Sequence, residues 1–428
     1  MHELFQLFYN TSGVFTDSRN VQQYGMFIAL KGNNFNGNAF AKSTIDSGAK
    51  YAIVDEENYA DDETIFYVPN ALVFLQKLAN HHRKKFNIPF IGITGSNGKT
   101  TTKELIYQVL SSHFNVLATK GNLNNHIGVP LTLLTVNSTH EIAIIEMGAN
   151  KPYDISELCE IAEPTHGIIT NIGAAHLEGF GSFEGVLKTK LELFHSISKQ
   201  NGFIIINADD KVLMDNLPTK IEHGFYSVRD KSELQGEIIQ LNPYLNFAWW
   251  DDSETRNVVQ THLFGGYNLY NFLAAIRFGK LFDVPECKIN ASLEAYVPSN
   301  NRSQITVTVK NKLLVDCYNA NPSSMLSAIT SFIQMDASKK VLILGDMLEL
   351  GTVSDEKHTE ILNYLNEENA LYFTVGPLFY ELTNNKATRK FLNINDCISF
   401  FQQTILEDHF ILLKGSRGIA LEKLLPHL

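Results

Sequence analysis

The residues best equipped for chemistry form one run, Gly92-Ile-Thr-Gly-Ser-Asn-Gly-Lys-Thr-Thr-Thr102, placed between an apolar stretch and a helix-forming one. In such a turn the successive backbone N–H groups of Gly95, Ser96, Asn97 and Gly98, with the N-terminus of the following helix, make a nest for an anion. Lys99 can reach the outer phosphates of a nucleotide, and the hydroxyl of Thr100, with Thr101 beside it, can ligate Mg2+. The strict phosphate-loop spacing G-x-x-x-x-G-K-[ST] is not kept: Ile93 stands six positions before Lys99, and the glycines fall at 92, 95 and 98. A glycine-rich strand-to-helix turn ending in Gly-Lys-Thr still points to nucleotide binding ahead of an ordinary turn.

Two more groups stand beyond apolar runs. Glu146 closes Glu141-Ile-Ala-Ile-Ile-Glu146, at the edge of a parallel sheet where ligands gather, and could hold Mg2+; taken alone, a carboxylate that merely caps the strand is an equal account. His176, in Thr170-Asn-Ile-Gly-Ala-Ala-His-Leu-Glu-Gly-Phe-Gly181, is one of 14 histidines, and most histidines serve the surface or the core. Its neighbourhood raises it, because Thr189-Lys190-Leu-Glu192 follows on a helix.

These residues need elements to hold them. Short apolar runs of strand length alternate with amphipathic stretches, which predicts an α/β protein of βα units around mainly parallel sheets. Strands are expected at 26–30, 51–54, 88–94, 141–147, 167–172 and 203–207, then at 312–317, 341–345, 371–375 and 410–414. Residues 221–262 are polar, carry Trp249-Trp250, and read as β-hairpins at a domain edge; the basic run His81-His-Arg-Lys-Lys85 reads as a solvated helix end. A length of 428 residues suits three domains, with boundaries expected at 1–83, 84–296 and 297–428. With 35 Lys and Arg against 46 Asp and Glu, the net charge of −11 disfavours nucleic acid or anionic lipid as partner, so any phosphate must meet a local positive site. The four cysteines, Cys159, Cys287, Cys317 and Cys397, form no CxxC pair and suggest neither zinc nor a disulfide framework. No run approaches the roughly eighteen apolar residues of a membrane span, and the N-terminus lacks a signal pattern, so a cytoplasmic protein is expected.

TGSNGKTTTKE (94–104), GNLNNHIGVPLTLL (121–134), EMGANKPYDI (146–155), TNIGAAHLEGFGSFEGVLKTKLELF (170–194), YNANPSSM (318–325), LGDMLELG (344–351) and LLKGSRG (412–418) together resemble the Mur ligases, motif by motif and in order. Asp17-Ser-Arg-Asn-Val21 is similar to the part of that family's first domain that meets UDP. The resemblance implies a small α/β domain for the UDP end of the substrate, a central P-loop-type ATPase, and a C-terminal Rossmann-like domain. It implies ATP, two Mg2+ ions, a UDP-N-acetylmuramoyl-tripeptide and D-Ala-D-Ala as ligands, an amide ligation through an acyl phosphate, and a monomer.

By the same resemblance, Lys99 would cradle the β- and γ-phosphates, Thr100 and Glu146 would hold one Mg2+, and His176 with a carbamylated Lys190 the second. An unmodified ammonium has no lone pair to offer a metal. Asn268 and Asn271 would lie near the adenine, Arg302 at the phosphates and Asp316 at the ribose. Ser18, Arg19, Asn124 and Asn125 would serve the UDP-linked substrate. Asn319, Asn321, Lys414, Ser416 and Arg417 would surround the dipeptide, whose terminal carboxylate needs a cation from either Lys414 or Arg417. A nucleotide shared by Lys99 and by Arg302 and Asp316 would bridge two domains and favour their closure. Tyr267 stands where relatives often carry His, and Asn300-Asn301 precede Arg302 where Lys-Gly is common. From the residues alone, Asn321 is also a good helix N-cap, with Pro322 at the first helical position. A nucleotide-driven switch that makes no amide is the competing class; it would need neither His176 and Lys190 nor the Lys-Gly-Ser-Arg loop.

Overall fold

The computed structural model describes residues 2–61, 63–253, 255–298, 302–368, 370–383 and 386–428; Asn300 and Asn301 lie outside them. Three α/β domains follow one another, each around a parallel or mostly parallel sheet. The first sheet orders Val14–Phe15, Met26–Ile28, Tyr51–Val54 and Ile65–Tyr67, all parallel. The second orders Glu222–Tyr226, Phe203–Asn207, His166–Ile169, Phe90–Thr94, Ile142–Glu146 and Val116–Ala118, again all parallel. In the third, Gln304–Val307 runs antiparallel to Lys312–Asp316, and Phe410–Lys414, Lys340–Gly345, Tyr372–Val375 and Arg389–Phe391 continue in parallel.

Sheets covered by helices on both faces bury both sides of each strand, and so require continuous apolar runs rather than alternation. Every residue of Phe90–Thr94 and of Ile142–Glu146 is buried. Register then places the chemistry: Ile93 pairs with Glu146 on the neighbouring strand, so the carboxylate emerges beside the Gly92–Thr102 turn. In the third sheet Asp316 pairs with Lys414 in the same way.

Two expectations need correction. Glu222–Tyr226 is no hairpin arm but the edge strand of the central parallel sheet, paired with Phe203–Asn207. It reads as polar because an edge strand exposes part of its length, here Glu222 and His223. The antiparallel strands Leu234–Gln240, Asn246–Asp251 and Asn257–Gln260 do form the expected hairpins, with Trp249 fully buried.

The basic run at 81–85 is a solvated helix end only in part, at the exposed Lys84 and Lys85. The helix Ala71–Arg83 buries His82 and Arg83 between the first two domains. Arg83 donates to the carbonyls of Ala162 at 2.9 Å, Glu163 at 2.8 Å and Phe86 at 3.2 Å, and its guanidinium lies 4.0 Å from the Phe90 ring centre. His82 Nε2 sits 2.8 Å from the carbonyl of Val136. Removing Arg83 leaves three carbonyls unpaired, so Arg83→Ala is expected to lower stability by about 3 kcal/mol. Urea unfolding measures this, and a loss below about 0.5 kcal/mol, the usual scatter for surface changes, would show that the joint does not depend on it.

Candidate active site

At the carboxyl edge of the central sheet the chain leaves Thr94, turns through Gly95–Gly98 and enters the helix Lys99–Ser111. Gly95 (φ +141°) and Gly98 (φ +76°) need to be glycine: a Cβ would meet Thr170 Oγ1 at 2.0 Å and Asn271 Oδ1 at 2.8 Å. The turn is braced from behind. Ser96 Oγ donates to the Gly173 carbonyl and accepts from the Gly173 N–H, each at 2.9 Å, while Asn171 Oδ1 accepts from Asn97 N at 3.0 Å. Lys99 Nζ donates to the carbonyls of Gly95 at 2.7 Å and Ser96 at 3.2 Å.

The turn forms the floor of a cleft of about 810 Å³, near the upper end for small-molecule sites and roomy for more than one substrate. From the central domain Ser96 to Thr101, Asn124, Asn125, Glu146, His176, Asn268 and Asn271 line it; from the third come Arg302, Asp316, Asn319, Asn321 and Lys414. Direct bonds cross between the two: Asn97 Nδ2 donates to Ser323 Oγ at 2.9 Å, and Asn321 Nδ2 to Asn97 Oδ1 at 2.7 Å. Asn321 also caps the helix Pro322–Ile333, its side chain accepting from Ser324 N at 2.9 Å.

Glu146 is 1% exposed. Its Oε1 accepts from Thr100 Oγ1 at 3.2 Å and Asn124 Nδ2 at 2.8 Å, but its buried Oε2 has no hydrogen-bond partner among the described residues. An orphaned carboxylate oxygen next to a hydroxyl is a donor set that suits Mg2+; of the expected anion nest, the Ser96 and Asn97 N–H groups are instead bonded to the Asn171 carbonyl and Oδ1, each at 3.0 Å. Among the described residues no group of three or more His, Cys, Asp and Glu is arranged to hold a metal alone, so such an ion would draw further oxygens from a bound phosphate.

Burial sets the charges. It pulls the Lys99 ammonium down to about 8, with Glu146 opposing and Arg302 assisting. Lys190 is pushed well below the usual lysine range, first by burial and then by Lys99. His176 is lowered by burial, with Glu349 opposing and Lys99 and Lys190 reinforcing, so its neutral ring keeps a lone pair. Lys190 is 2% exposed on the helix Phe183–Lys199 and does not line the cleft; its ammonium lies 5.7 Å from the Phe180 ring centre. It is not on a solvated helix face.

Asn268 and Asn271 are tied together. Asn271 Nδ2 donates to Asn268 Oδ1 at 2.7 Å, and Asn271 Oδ1 accepts from Thr102 Oγ1 at 3.1 Å. Tyr267 joins them at the wall, its hydroxyl 2.9 Å from Ser303 Oγ. Asp316 Oδ1 accepts from Ser303 N at 3.2 Å, and its Oδ2 lies 2.5 Å from Lys414 Nζ. Lys414 is thus buried and neutralised, while Arg417 is exposed, outside the cleft, with its guanidinium 5.6 Å from the Tyr318 ring centre. Ser416 is buried and lies outside the cleft, its Oγ accepting from Leu348 N at 2.9 Å, so its place is that of a loop brace. Ser18 and Arg19 are on the first domain, away from this cleft, with Arg19 paired to Asp17. Tyr267, Ser303, Tyr318 and Ser323 line the cleft beyond the residues expected from the sequence; Tyr318 and Ser323 fall inside YNANPSSM, and Tyr267 stands where relatives often carry His.

Comparison with known proteins agrees with this architecture. Residues 93–279 match the Mur ligase middle domain, 301–417 the Mur ligase glutamate ligase domain, and 10–83 the Mur ligase family catalytic domain. The UDP-N-acetylmuramoyl-tripeptide--D-alanyl-D-alanine ligase of Bacillus subtilis is 31% identical over 97% of this chain and 93% of its own length. That of Rickettsia prowazekii is 33% identical, over 98% and 95%. A crystal structure of MurF from Acinetobacter baumannii superposes with a TM-score of 0.89 at 28% identity, covering 99% of this chain and 97% of that one. MurF ligase from Thermotoga maritima, solved in complex with ADP, gives 0.86 at 26% identity over 97% of each. With three domain models matched in order and relatives more than 30% identical over nearly the whole chain, this protein belongs to the Mur ligase family.

Proposed function

We propose that the chain is an ATP-dependent, ADP-forming amide ligase that joins D-Ala-D-Ala to UDP-N-acetylmuramoyl-tripeptide in the synthesis of peptidoglycan precursors. The observation that carries this reading is the single cleft in which Lys99, Thr100 and Glu146 of one domain face Arg302, Asp316 and Asn321 of another. A tripeptide carboxylate oxygen attacks the γ-phosphorus of ATP, the bond to the β-phosphate oxygen breaks, and ADP leaves. The dipeptide amine then attacks the acyl carbon, loses a proton, and expels phosphate. Several negative charges meet in the first step, and positioned cations hold them together. Lys99 and Arg302 supply these from opposite walls.

Thr100 and Glu146 would hold one Mg2+, and His176 with Lys190 as its carbamate a second. Bound Mg2+ neutralises charge on the phosphates. Lys190 suits carbamylation because burial favours its neutral, nucleophilic amine. Residues 1–83 would take the UDP end of the substrate, 84–296 the ATP, and 297–428 the dipeptide. Lys414 lines the cleft but is paired with Asp316, and Arg417 stands exposed beyond it, so the dipeptide carboxylate would meet one of these two cations. Phosphate release that requires ATP, UDP-tripeptide and D-Ala-D-Ala together is the expected result; release with ATP alone would mean a switch and not a ligase.

The pH dependence of ATP affinity follows from Lys99. Its value of about 8 is set by burial, Glu146 and Arg302, and phosphates beside it would raise it. Affinity is therefore greatest below about 8 and weakens as pH rises, by up to about tenfold per unit, until the bound-state value is passed. Calorimetric titration in buffers of different ionisation enthalpy should show proton uptake on binding near pH 9. An affinity independent of pH there would show that Lys99 does not meet phosphate.

A further inference from the structure

We propose that Glu349 is a positioning residue for His176, carried by the loop after the strand Lys340–Gly345, so that the imidazole is set only when the third domain is docked on the second. This rests on the reading of His176 given above. His176 lines the cleft and Glu349 does not, yet Glu349 Oε2 stands 2.5 Å from His176 Nδ1. That nitrogen is buried and the approach falls short of the alignment of a full hydrogen bond, a state common before substrates tighten a site.

Three further observations converge on the contact. Neither residue is glycine, yet both are left-handed, with φ +53° at His176 and +64° at Glu349. Such strain persists where surrounding structure imposes it, and it gathers at functional sites. The loop is gripped from its own domain: Met347 N donates to His358 Nε2 at 3.0 Å and Leu348 N to Ser416 Oγ at 2.9 Å. It is met from the other domain by Glu178 N, which donates to the Glu349 carbonyl at 3.3 Å.

A carboxylate on Nδ1 fixes the proton there and leaves the Nε2 lone pair for the cleft, which is how carboxylates orient ligating imidazoles. Because Ser416 belongs to the Lys414–Arg417 loop, the same segment links the dipeptide side of the cleft to His176. The bland alternative is an ordinary ion pair at the surface, since the Glu349 side chain is 55% exposed. Such a pair would contribute little and would not govern the ring's tautomer.

The test compares Glu349→Ala, Glu349→Gly and Glu349→Gln with His176→Ala. Glu349→Ala and Glu349→Gly should lower kcat about ten- to a hundredfold, with KM for ATP changed less than kcat. Glu349→Gln, whose amide oxygen can still accept from Nδ1, should recover part of the loss. Glycine tolerates positive φ, so Glu349→Gly should keep or raise Tm while kcat falls, whereas a merely structural residue would lose both. Long-range 1H–15N spectra of the metal-free protein should show His176 protonated at Nδ1 in the parent and shifted toward the Nε2–H form in Glu349→Ala. Parent-like kcat in Glu349→Ala, or unchanged imidazole signals, overturns the proposal. If His176→Ala itself retains turnover, the earlier reading of His176 fails; if His176→Ala is inactive while Glu349→Ala is active, only the positioning role fails.

Discussion

Lys99→Ala is expected to lower kcat by about a hundredfold or more, since one positioned charge at a developing anion commonly contributes that much. The fold should survive the change. Among the described residues Lys99 Nζ bonds to the carbonyls of its own turn, Gly95 and Ser96, and the turn is braced independently through Ser96, Asn97, Asn171 and Gly173. Burial holds the Lys99 ammonium at about 8, below its ordinary value, so folding disfavours the charged form. The resulting penalty is fully present below about 8 and disappears as pH rises through the ordinary lysine value of about 10.4. At pH 7 the ligand-free variant should therefore melt no lower than the parent. The stabilisation that ATP confers by binding only the native state should be lost. Thermal scans with and without ATP, beside steady-state kinetics, measure both effects. Near-parental kcat would remove Lys99 from the reaction.

Lys190→Ala is expected to be nearly inactive and to regain part of its activity in acetate. An ordinary lysine at pH 7 is almost wholly protonated and does not react with CO2. Lys190 differs because it is 2% exposed and lies near Lys99, so both desolvation and repulsion favour the neutral amine. Reaction of that neutral amine with CO2 would form an N–C bond, release one proton and leave an anionic carbamate. A small carboxylate can occupy the same space in the alanine variant. Lys190→Arg should not be rescued, because guanidinium stays charged. A carbamate carbon signal from 13C-labelled bicarbonate should appear in the parent protein and be absent from Lys190→Arg. Turnover of Lys190→Ala at the parental rate without acetate would end the carbamate reading.

What the sequence by itself determined is local. Continuous apolar runs predicted Tyr51–Val54, Phe203–Asn207 and Phe410–Lys414 to the residue, because a strand buried on both faces cannot be written otherwise. The Gly-rich turn and the cap at Asn321 were legible for the same reason: backbone N–H groups within a few residues dictate which side chains can serve them. The edge strand Glu222–Tyr226 was not, since half-exposed strands carry a weaker pattern and their partner is chosen by the sheet. Nor could spacing reveal that Arg83 is buried, that Lys414 is spent on Asp316 across a strand pair, or that Glu349 reaches His176 from another domain. Those outcomes depend on which surfaces pack together, and packing decides both the desolvation of a charge and the partner that offsets it. Candidate binding side chains could be named from the chain; the burial and partners that set their protonation came only from the folded environment.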